Sequence, residues 1–149
     1  GKTFPAACIA NYLLDHGTSV IMTSFVDILG LYQKDQIAAE DLVERMNRVK
    51  LLIIDDLGAE RDTSYALEKV YGIIDSRGRS KKPLILTTNL SLDEMLTESD
   101  KRFKRIYERV FELCYPVEFA GDSWRQKAAS QRYDRMKKLL EGDDGENFN

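Results

Sequence analysis

The sequence is poor in the residues that build metal centres and disulfide frameworks. It contains one histidine and two cysteines, Cys8 and Cys114, among 149 residues. The cysteines lie far apart and show no metal-ligand spacing, so we expect both to be buried free thiols in the reducing cytoplasm. No apolar run approaches the roughly 18 residues of a membrane-spanning helix, so we expect no membrane partner. A disulfide scaffold and a cysteine–histidine metal centre are excluded.

The chain as a whole has no excess of positive charge. The net charge is −3, and a composition of 43% hydrophobic and 32% charged residues is ordinary for one globular domain. This balance excludes a protein coated in positive charge for nucleic acid. Basic residues nevertheless concentrate in residues 101–109 and 125–138, so a nucleic-acid partner stays possible. Residues 141–149 are acidic without apolar periodicity, and we expect them to be disordered.

Apolar periodicity along the chain predicts helices that alternate with strands. Short apolar runs predict strands, and apolar residues at a helical spacing predict amphipathic helices between them. The residues from Ser91 to Glu94 have the pattern of a capping box at a helix start. Because strands and helices alternate, we expect an α/β fold with a parallel sheet. The predicted strands are 19–23, 51–55, 83–88 and 117–119, and the predicted helices are 3–16, 25–34, 39–48, 62–77, 101–113 and 124–140.

The chain opens with the end of a phosphate-binding loop. Gly1, Lys2 and Thr3 match the last three residues of the pattern G-x-x-x-x-G-K-[ST], at the start of a predicted helix. In a complete loop the lysine reaches the β- and γ-phosphates of a nucleoside triphosphate, and the threonine hydroxyl coordinates magnesium. Because this tripeptide is common, the assignment depends on acidic and polar residues farther along the chain.

Two carboxylates and one carboxamide supply the other groups that nucleotide hydrolysis needs. Asp55, at the end of the predicted strand 51–55, can hold magnesium, and Asp56 can polarise a water for attack on the γ-phosphorus. Asn89, just past the strand 83–88, can contact both the γ-phosphate and that water. The simpler alternatives are a solvated turn at the aspartates and a polar turn residue at Asn89. The pattern indicates a nucleoside triphosphate and Mg²⁺ as ligands.

The order of these segments resembles one family of ATPases. The chain is similar to the AAA+ helicase loaders of the DnaC/DnaI type, and to their IstB-like relatives, in the order of five segments: Gly-Lys-Thr, Leu-Leu-Ile-Ile-Asp-Asp-Leu-Gly-Ala-Glu, Leu-Ile-Leu-Thr-Thr-Asn-Leu, Arg-Ile-Tyr-Glu-Arg-Val and Gly-Asp-Ser-Trp-Arg. The resemblance implies ATP as the nucleotide and a P-loop NTPase fold of the AAA+ type, with three α-β-α layers. It also implies a nucleotide-binding core over 1–120, a C-terminal sensor 2 helix over 121–140 and a tail over 141–149.

The match to the phosphate-binding loop begins at its second glycine. The strand that precedes the loop in this family therefore lies outside residues 1–149. We expect the sheet to lack this first, central strand and to have unpaired backbone groups at the gap. Most of the phosphate-binding amides also precede Gly1, so we expect the isolated peptide 1–149 to bind ATP poorly.

The resemblance implies a role for each matching residue. Asp56 stands where many AAA+ proteins have glutamate, and the shorter side chain indicates slow turnover, as in a switch. For each arginine the alternative is a solvated helix face, although a guanidinium suits phosphate oxygens well. The implied roles are Walker A for Gly1, Lys2 and Thr3, Walker B for Asp55 and Asp56, sensor 1 for Asn89, arginine finger for Arg109 with Arg105 as second choice, and sensor 2 for Arg125.

The segment 25–48 occupies the position of a helical insertion that faces the ring pore in this family. We expect it either to bind single-stranded DNA or to pack as ordinary amphipathic helices. The residues expected to contact DNA are Lys34, Arg45 and Arg48 on the backbone, with Phe25 or Tyr32 stacking on the bases.

The resemblance predicts an ATP-hydrolysing helicase loader in DNA replication. Its partners would be the replicative helicase, single-stranded DNA and further copies of itself, joined through the arginine finger. Three alternatives remain open: an IstB-like transposition helper on duplex DNA, a P-loop kinase of a small molecule, and an adaptor that keeps the fold without hydrolysis. The paired Arg105 and Arg109, together with Asn89, favour a ring subunit over a kinase.

Overall fold

Residues 2–117 form one compact unit, and the C-terminal helix belongs to another. The computed structural model describes the backbone of residues 1–60, 62–120 and 124–141, and their side chains except those of 124–127 and 141. Among the helices in these ranges, none is both long and apolar enough to cross a membrane. The elements in chain order are α1 (Thr3–Asp15), β1 (Val20–Ser24), α2 (Phe25–Lys34), α3 (Gln36–Arg48), β2 (Leu51–Leu57), α4 (Ser64–Arg79), β3 (Leu84–Thr88), α5 (Leu92–Leu96), α6 (Lys101–Leu113) and α7 (Trp124–Glu141).

Side-chain oxygens fix the starts of five helices. In each case the residue before the helix accepts a hydrogen bond from a first-turn amide, which otherwise has no partner within the helix. The predicted capping box is confirmed, because Ser91 and Glu94 each accept a hydrogen bond from the other's backbone amide. The capping residues are Ser24 for α2, Asp35 for α3, Thr63 for α4, Ser91 for α5 and Asp100 for α6.

Three parallel strands form the sheet of residues 2–117, in the order β1-β2-β3. β1 pairs with β2 from Val20 opposite Leu51 onward. β2 pairs with β3 up to an irregularity between Ile54 and Leu57. Since all three strands run in one direction, their carboxyl ends meet at a single edge. Ligands of open α/β sheets bind at that edge.

The predicted strand 117–119 is wrong. Residues 114–120 form neither helix nor strand. Their large apolar side chains stand in solvent, since Tyr115 is 90% exposed, Val117 68% and Phe119 54%. A strand needs a neighbour that pairs with its backbone, and none of the described strands pairs with this segment. The expected central gap therefore does not arise among the described residues, and β3 is an edge strand.

β2 separates two apolar cores, because successive side chains of a strand point to opposite faces of the sheet. Leu52 and Ile54 belong to a large core that also contains residues of α2, α4 and α6. Leu51 and Ile53 belong to a smaller core with α1. Helices thus cover both faces of the sheet, and the expected three-layer α-β-α arrangement is confirmed.

The expected burial of both cysteines is wrong for Cys8 and only partly met for Cys114. Cys8 is exposed on α1, whereas Cys114 is half-buried, and burial raises the pKa of the Cys114 thiol. The buried stripe of α1 runs through Ala6 and Ala10, which lie four residues apart. Cys8 is two residues from each of them and therefore lies on the other side of the helix.

A buried arginine connects the amino ends of β2 and β3 to the end of α3. Arg77, on α4, is 0% exposed. Every hydrogen bond found for it among the described residues ends on a backbone carbonyl rather than a carboxylate. The last carbonyls of a helix carry partial negative charge, which suits a guanidinium. Arg77 Nη1 lies 3.0 Å from the carbonyl oxygen of Met46 and 2.9 Å from that of Val49. Arg77 Nη2 lies 3.0 Å from the carbonyl oxygen of Lys50 and 2.7 Å from that of Pro83.

We expect Arg77→Ala to lower the free energy of unfolding by about 3 kcal/mol or more, because several buried carbonyls lose their donor. Arg77→Lys should recover only part of this loss, since an ammonium group lacks the planar fork that reaches these acceptors. Urea denaturation followed by circular dichroism measures both changes. The control is Arg79→Ala, which removes an exposed arginine that pairs with Asp75 on the same helix and should cost less than about 1 kcal/mol. An equal loss in the free energy of unfolding for Arg77→Ala and Arg79→Ala would contradict the structural role of Arg77.

Candidate nucleotide-binding site

Four polar side chains from distant parts of the chain meet at the carboxyl edge of the sheet. Lys2 Nζ donates a hydrogen bond to Asn89 Oδ1 at 3.2 Å, across 87 positions in sequence. Thr3 Oγ1 lies 3.1 Å from Asp55 Oδ1 and 3.0 Å from Oδ2, across 52 positions. Lys2 and Thr3 stand at the start of α1, Asp55 lies in β2 and Asn89 follows β3. Gly1, which precedes them, is exposed.

The start of α1 has the properties of an anion site. Lys2 is its N-cap, and no side chain caps the first-turn amides. The first turn contains no acidic residue. Free amides and the positive end of the helix dipole favour a bound phosphate at such a position. The ammonium group of Lys2 adds a full positive charge at the same place.

An extra residue in β2 sets the geometry of the paired aspartates. Ile54 pairs with Leu86 and Leu57 pairs with Thr88, so β2 has one residue more than β3 between these pairs. Asp56 has a φ of 58°, in the left-handed region of backbone space. Such a β-bulge redirects side chains and is common beside active sites. The sequence pattern predicts the strand and its acidic end, but it does not predict this bulge.

Thr87, on β3 opposite the bulge, hydrogen-bonds to both aspartates. Its hydroxyl donates to Asp55 Oδ1 and accepts a hydrogen bond from the amide of Asp56 at 3.0 Å. Thr87 is only 7% exposed. The sequence pattern predicts no role for Thr87. A threonine inside an apolar strand could have indicated such a role. A buried hydroxyl needs a hydrogen-bond partner, so a polar group had to lie beside it.

Glycine and a second threonine fix the turn that follows the aspartates. Gly58 has a φ of 95°, and a Cβ there would lie 2.9 Å from Leu90 Cδ1. The amide of Gly58 donates to Glu60 Oε2 at 2.8 Å. Thr88 Oγ1 donates to the carbonyl of Leu57 at 2.7 Å and accepts from the amide of Leu90 at 3.1 Å. The end of β2 is therefore tied to the residues that follow β3.

The site offers oxygen ligands of the kind that Mg²⁺ prefers. The Thr3 hydroxyl and the Asp55 carboxylate lie side by side. Mg²⁺ in nucleotide sites usually takes one or two protein oxygens together with water and substrate phosphates. Among the described residues, no group of three or more histidine, cysteine, aspartate or glutamate side chains could hold a metal ion. The single hydroxyl of Thr3 and the single carboxylate of Asp55 fit a metal that takes its other ligands from water and nucleotide phosphates.

The two arginines predicted as finger candidates lie on α6, where it packs beside α4. Arg109 forms ion pairs within its own chain: Nε is 3.1 Å from Asp75 Oδ1 and Nη1 is 2.5 Å from Glu112 Oε2. The hydrogen bond to Glu112 and the charge of Asp75 raise the pKa of Arg109. Arg105 is exposed, and its guanidinium carbon lies 3.9 Å from the centre of the Tyr71 ring. Neighbouring carboxylates thus neutralise Arg109, whereas Arg105 contacts an aromatic ring.

Two predictions concern parts of the chain outside the described residues. The helix expected over 124–140 is observed as α7, but the side chain of Arg125 is not among those described. Residues 142–149 of the tail that we expect to be disordered also lie outside the described residues. The sensor 2 role and the tail disorder therefore stay predictions.

The segment predicted to contact DNA has a buried and an exposed face. Phe25 is fully buried in the large core, so its predicted stacking on bases is wrong. α2 begins at this residue and places it against the sheet. Tyr32 is half-buried, and its ring centre lies 4.5 Å from Lys69 Nζ. The three basic side chains of the segment are exposed, and one of them, Arg48, forms an ion pair with Glu44 at 3.0 Å.

The fold and this cluster together define the class of protein. A parallel α/β sheet with Lys-Thr at a helix start, facing an acidic strand end, is the arrangement of P-loop nucleotide-binding proteins. The chain belongs to the family of IstB-like ATP-binding proteins, whose model matches residues 1–132.

Comparison with known proteins agrees with this assignment. The chain is 30% identical over 142 residues to the replicative helicase loader DnaC of Escherichia coli (strain K12), which covers 89% of this chain and 55% of that protein. It resembles the crystal structure of DnaI at 30% identity and a TM-score of 0.66, over 82% of this chain and 65% of that one. A structure of the replication initiator DnaA bound to AMPPCP and single-stranded DNA shares the fold at 18% identity and a TM-score of 0.51. The match covers 65% of this chain and 31% of that one.

These comparisons confirm the AAA+ type of P-loop fold and a family of ATP-binding proteins. The chain spans about half the length of the curated relatives it matches.

We expect residue 56 to accept glycine better than a β-branched side chain. In the left-handed region valine is strained by about 1–3 kcal/mol, whereas glycine is not. The free energy of unfolding in urea should therefore be at least about 1 kcal/mol lower for Asp56→Val than for Asp56→Gly. The control pair is Asp41→Val and Asp41→Gly in the exposed middle of α3, where glycine is the poorer helix former and this order should not appear. Equal stability of the two variants at position 56 would rule out the left-handed backbone.

Proposed function

We propose that this chain is the nucleotide-binding core of an ATP-hydrolysing helicase loader in DNA replication. The observation that carries the proposal is the pairing of Lys2 with Asn89 and of Thr3 with Asp55 at one edge of the sheet. These residues match the positions at which P-loop ATPases bind phosphate and magnesium. The similarity to the helicase loader DnaC supports the biological assignment.

Each residue of the cluster has a chemical task in this proposal. Lys2 and the first-turn amides of α1 bind the phosphates. Thr3 and Asp55 hold Mg²⁺, whose charge offsets the negative charge that develops on the phosphates. Asp56 orients and polarises the attacking water, and Asn89 holds that water and the γ-phosphate. Lys2 donates to Asn89 and Thr3 donates to Asp55, so each residue would exchange an internal hydrogen bond for a contact to the ligand.

We propose the replicative helicase and single-stranded DNA as the partners of the whole protein, in the cytoplasm. The DnaC relative is a replicative helicase loader, and the DnaA structure that shares this fold is bound to single-stranded DNA. Within this chain, Lys34 and Arg45 are exposed on α2 and α3. Exposed basic side chains on adjacent helices suit the backbone of a single strand.

We also propose self-assembly through an arginine of α6. Arg105 is the better candidate for the finger, because it is exposed and its contact is a ring rather than a carboxylate. Arg109 is the alternative, but it would first have to leave Asp75 and Glu112. Arg125 keeps its proposed role as the sensor 2 residue on the basis of sequence alone.

The family supports a second candidate function. The matched family model is that of IstB-like ATP-binding proteins, and we expect transposition helpers among the IstB-like relatives to assemble on duplex DNA. Fluorescence anisotropy in the presence of ATP separates the two functions. A helicase loader should bind a labelled single strand more tightly than the duplex, and a transposition helper should show the reverse order.

We expect Asp56→Ala to lower kcat for ATP hydrolysis by at least about 100-fold and to leave ATP affinity nearly unchanged. The substitution removes the group that polarises water but no phosphate ligand. Lys2→Ala should instead weaken ATP binding. The measurements are phosphate release and titration calorimetry in the natural polypeptide that contains residues 1–149. Asp62→Ala, at an exposed aspartate of the following turn, is the control. Equal rates for the unmodified protein and Asp56→Ala would refute the assigned site.

We expect Arg105→Ala to lower kcat about a thousandfold, because a finger arginine stabilises charge in the neighbouring subunit's site. Mixing Arg105→Ala with Asp56→Ala should restore part of the activity, since some contacts then pair an intact site with an intact finger. Arg102→Ala removes an exposed arginine of the same helix, bound to Asp100, and is the control. Loss of activity only in Arg109→Ala would make Arg109 the finger, and loss in neither variant would exclude self-assembly through α6.

A further inference from the structure

We propose that Thr87 is a positioning residue for the metal-binding and water-activating aspartates, an inference that rests on the proposed function. The roles that the sequence resemblance implies do not include Thr87. Its hydroxyl is the one side-chain group in the described residues that hydrogen-bonds to both positions 55 and 56. Because Thr87 is buried, its hydroxyl exchanges little with bulk water.

A threonine hydroxyl has one proton to donate, and here it donates that proton to Asp55 Oδ1. The same oxygen accepts the amide proton of Asp56. One atom therefore fixes the orientation of a carboxylate and the position of the next backbone amide. A partner that orients a metal-binding carboxylate usually affects metal affinity or activity by about 10- to 100-fold.

The bulge explains why a side chain is needed at this place. Two residues of β2 lie opposite one residue of β3, so the ladder cannot supply a regular backbone acceptor to both. The Thr87 hydroxyl provides the acceptor for Asp56, whose backbone is left-handed. Thr87 also stands two residues before Asn89. β3 therefore fixes the metal ligand, the water-activating residue and the sensor together.

A variant of Thr88 serves as the control that distinguishes a positioning role from an effect on general stability. It is the next residue of β3, and its hydroxyl also bonds across to β2, at the carbonyl of Leu57. Among the hydrogen bonds of the described residues, none joins the Thr88 hydroxyl to either aspartate. Replacing either threonine by valine removes one hydroxyl and keeps the side-chain shape, so the two variants should lose similar stability and differ in their effect on the site.

The test compares Thr87→Val, Thr87→Ser and Thr88→Val in the natural polypeptide that contains residues 1–149. The Mg²⁺ concentration for half-maximal ATP hydrolysis should rise at least about tenfold in Thr87→Val. It should return close to the unmodified value in Thr87→Ser and stay unchanged in Thr88→Val. In the nucleotide-free protein, hydrogen exchange of the Asp56 amide should be several-fold faster in Thr87→Val alone. Thermal unfolding checks that all three variants fold.

Each outcome decides the proposal. If Thr87→Val matches Thr88→Val in Mg²⁺ dependence and in Asp56 exchange, Thr87 has no positioning role. If the unmodified protein shows no Mg²⁺-dependent hydrolysis, the proposed function fails, while Asp56 exchange still shows whether Thr87 holds the bulge. If Thr87→Val does not fold, Thr87→Cys replaces it, with the same expected direction, because a thiol is a weaker hydrogen-bonding group of similar size.

Discussion

The contact between β2 and β3 at their carboxyl ends is the constraint on which the site depends. β2 is buried on both faces, so a shift of one residue would move Leu52 and Ile54 out of one core and into the other. The apolar cores therefore fix its register. Within that fixed register the bulge adds one residue to β2, and the Thr87 hydroxyl bonds to both acidic residues there. The geometry of the aspartates follows from the packing of the sheet.

The opposite end of the same strands is held by a buried arginine and an exposed lysine. Arg77 donates to carbonyls that immediately precede β2 and β3. Lys82 Nζ adds hydrogen bonds to the carbonyls of Asn47 at 2.9 Å and Arg48 at 3.0 Å, at the end of α3. β2 and β3 are thus attached to their surroundings at both ends. A site that must hold a metal ligand within a fraction of an ångström needs this kind of rigid support.

The packing of α4 against α6 gives two arginines on the same helix different surroundings. Gly78 allows the close approach, because a Cβ there would lie 2.7 Å from Leu113 Cδ2 and 2.9 Å from Arg109 Nη2. Arg109 is therefore held at the helix contact, beside Asp75. Arg105 lies one turn earlier on α6 and is exposed. Spacing in the sequence pairs these arginines, but only the helix contact distinguishes them.

Sequence patterns were sufficient to predict the alternation of helices and strands as far as β3 and the position of Lys2, Asp55 and Asn89 at one edge of the sheet. These features follow from local periodicity and from the rule that parallel strands end at the same side of a sheet. Tertiary structure alone decided the bulge, the contacts of Thr87 and the burial of Phe25. The reason is physical: each of them depends on which residue of a distant segment stands opposite, and the pairing of strands and the packing of side chains set that partner.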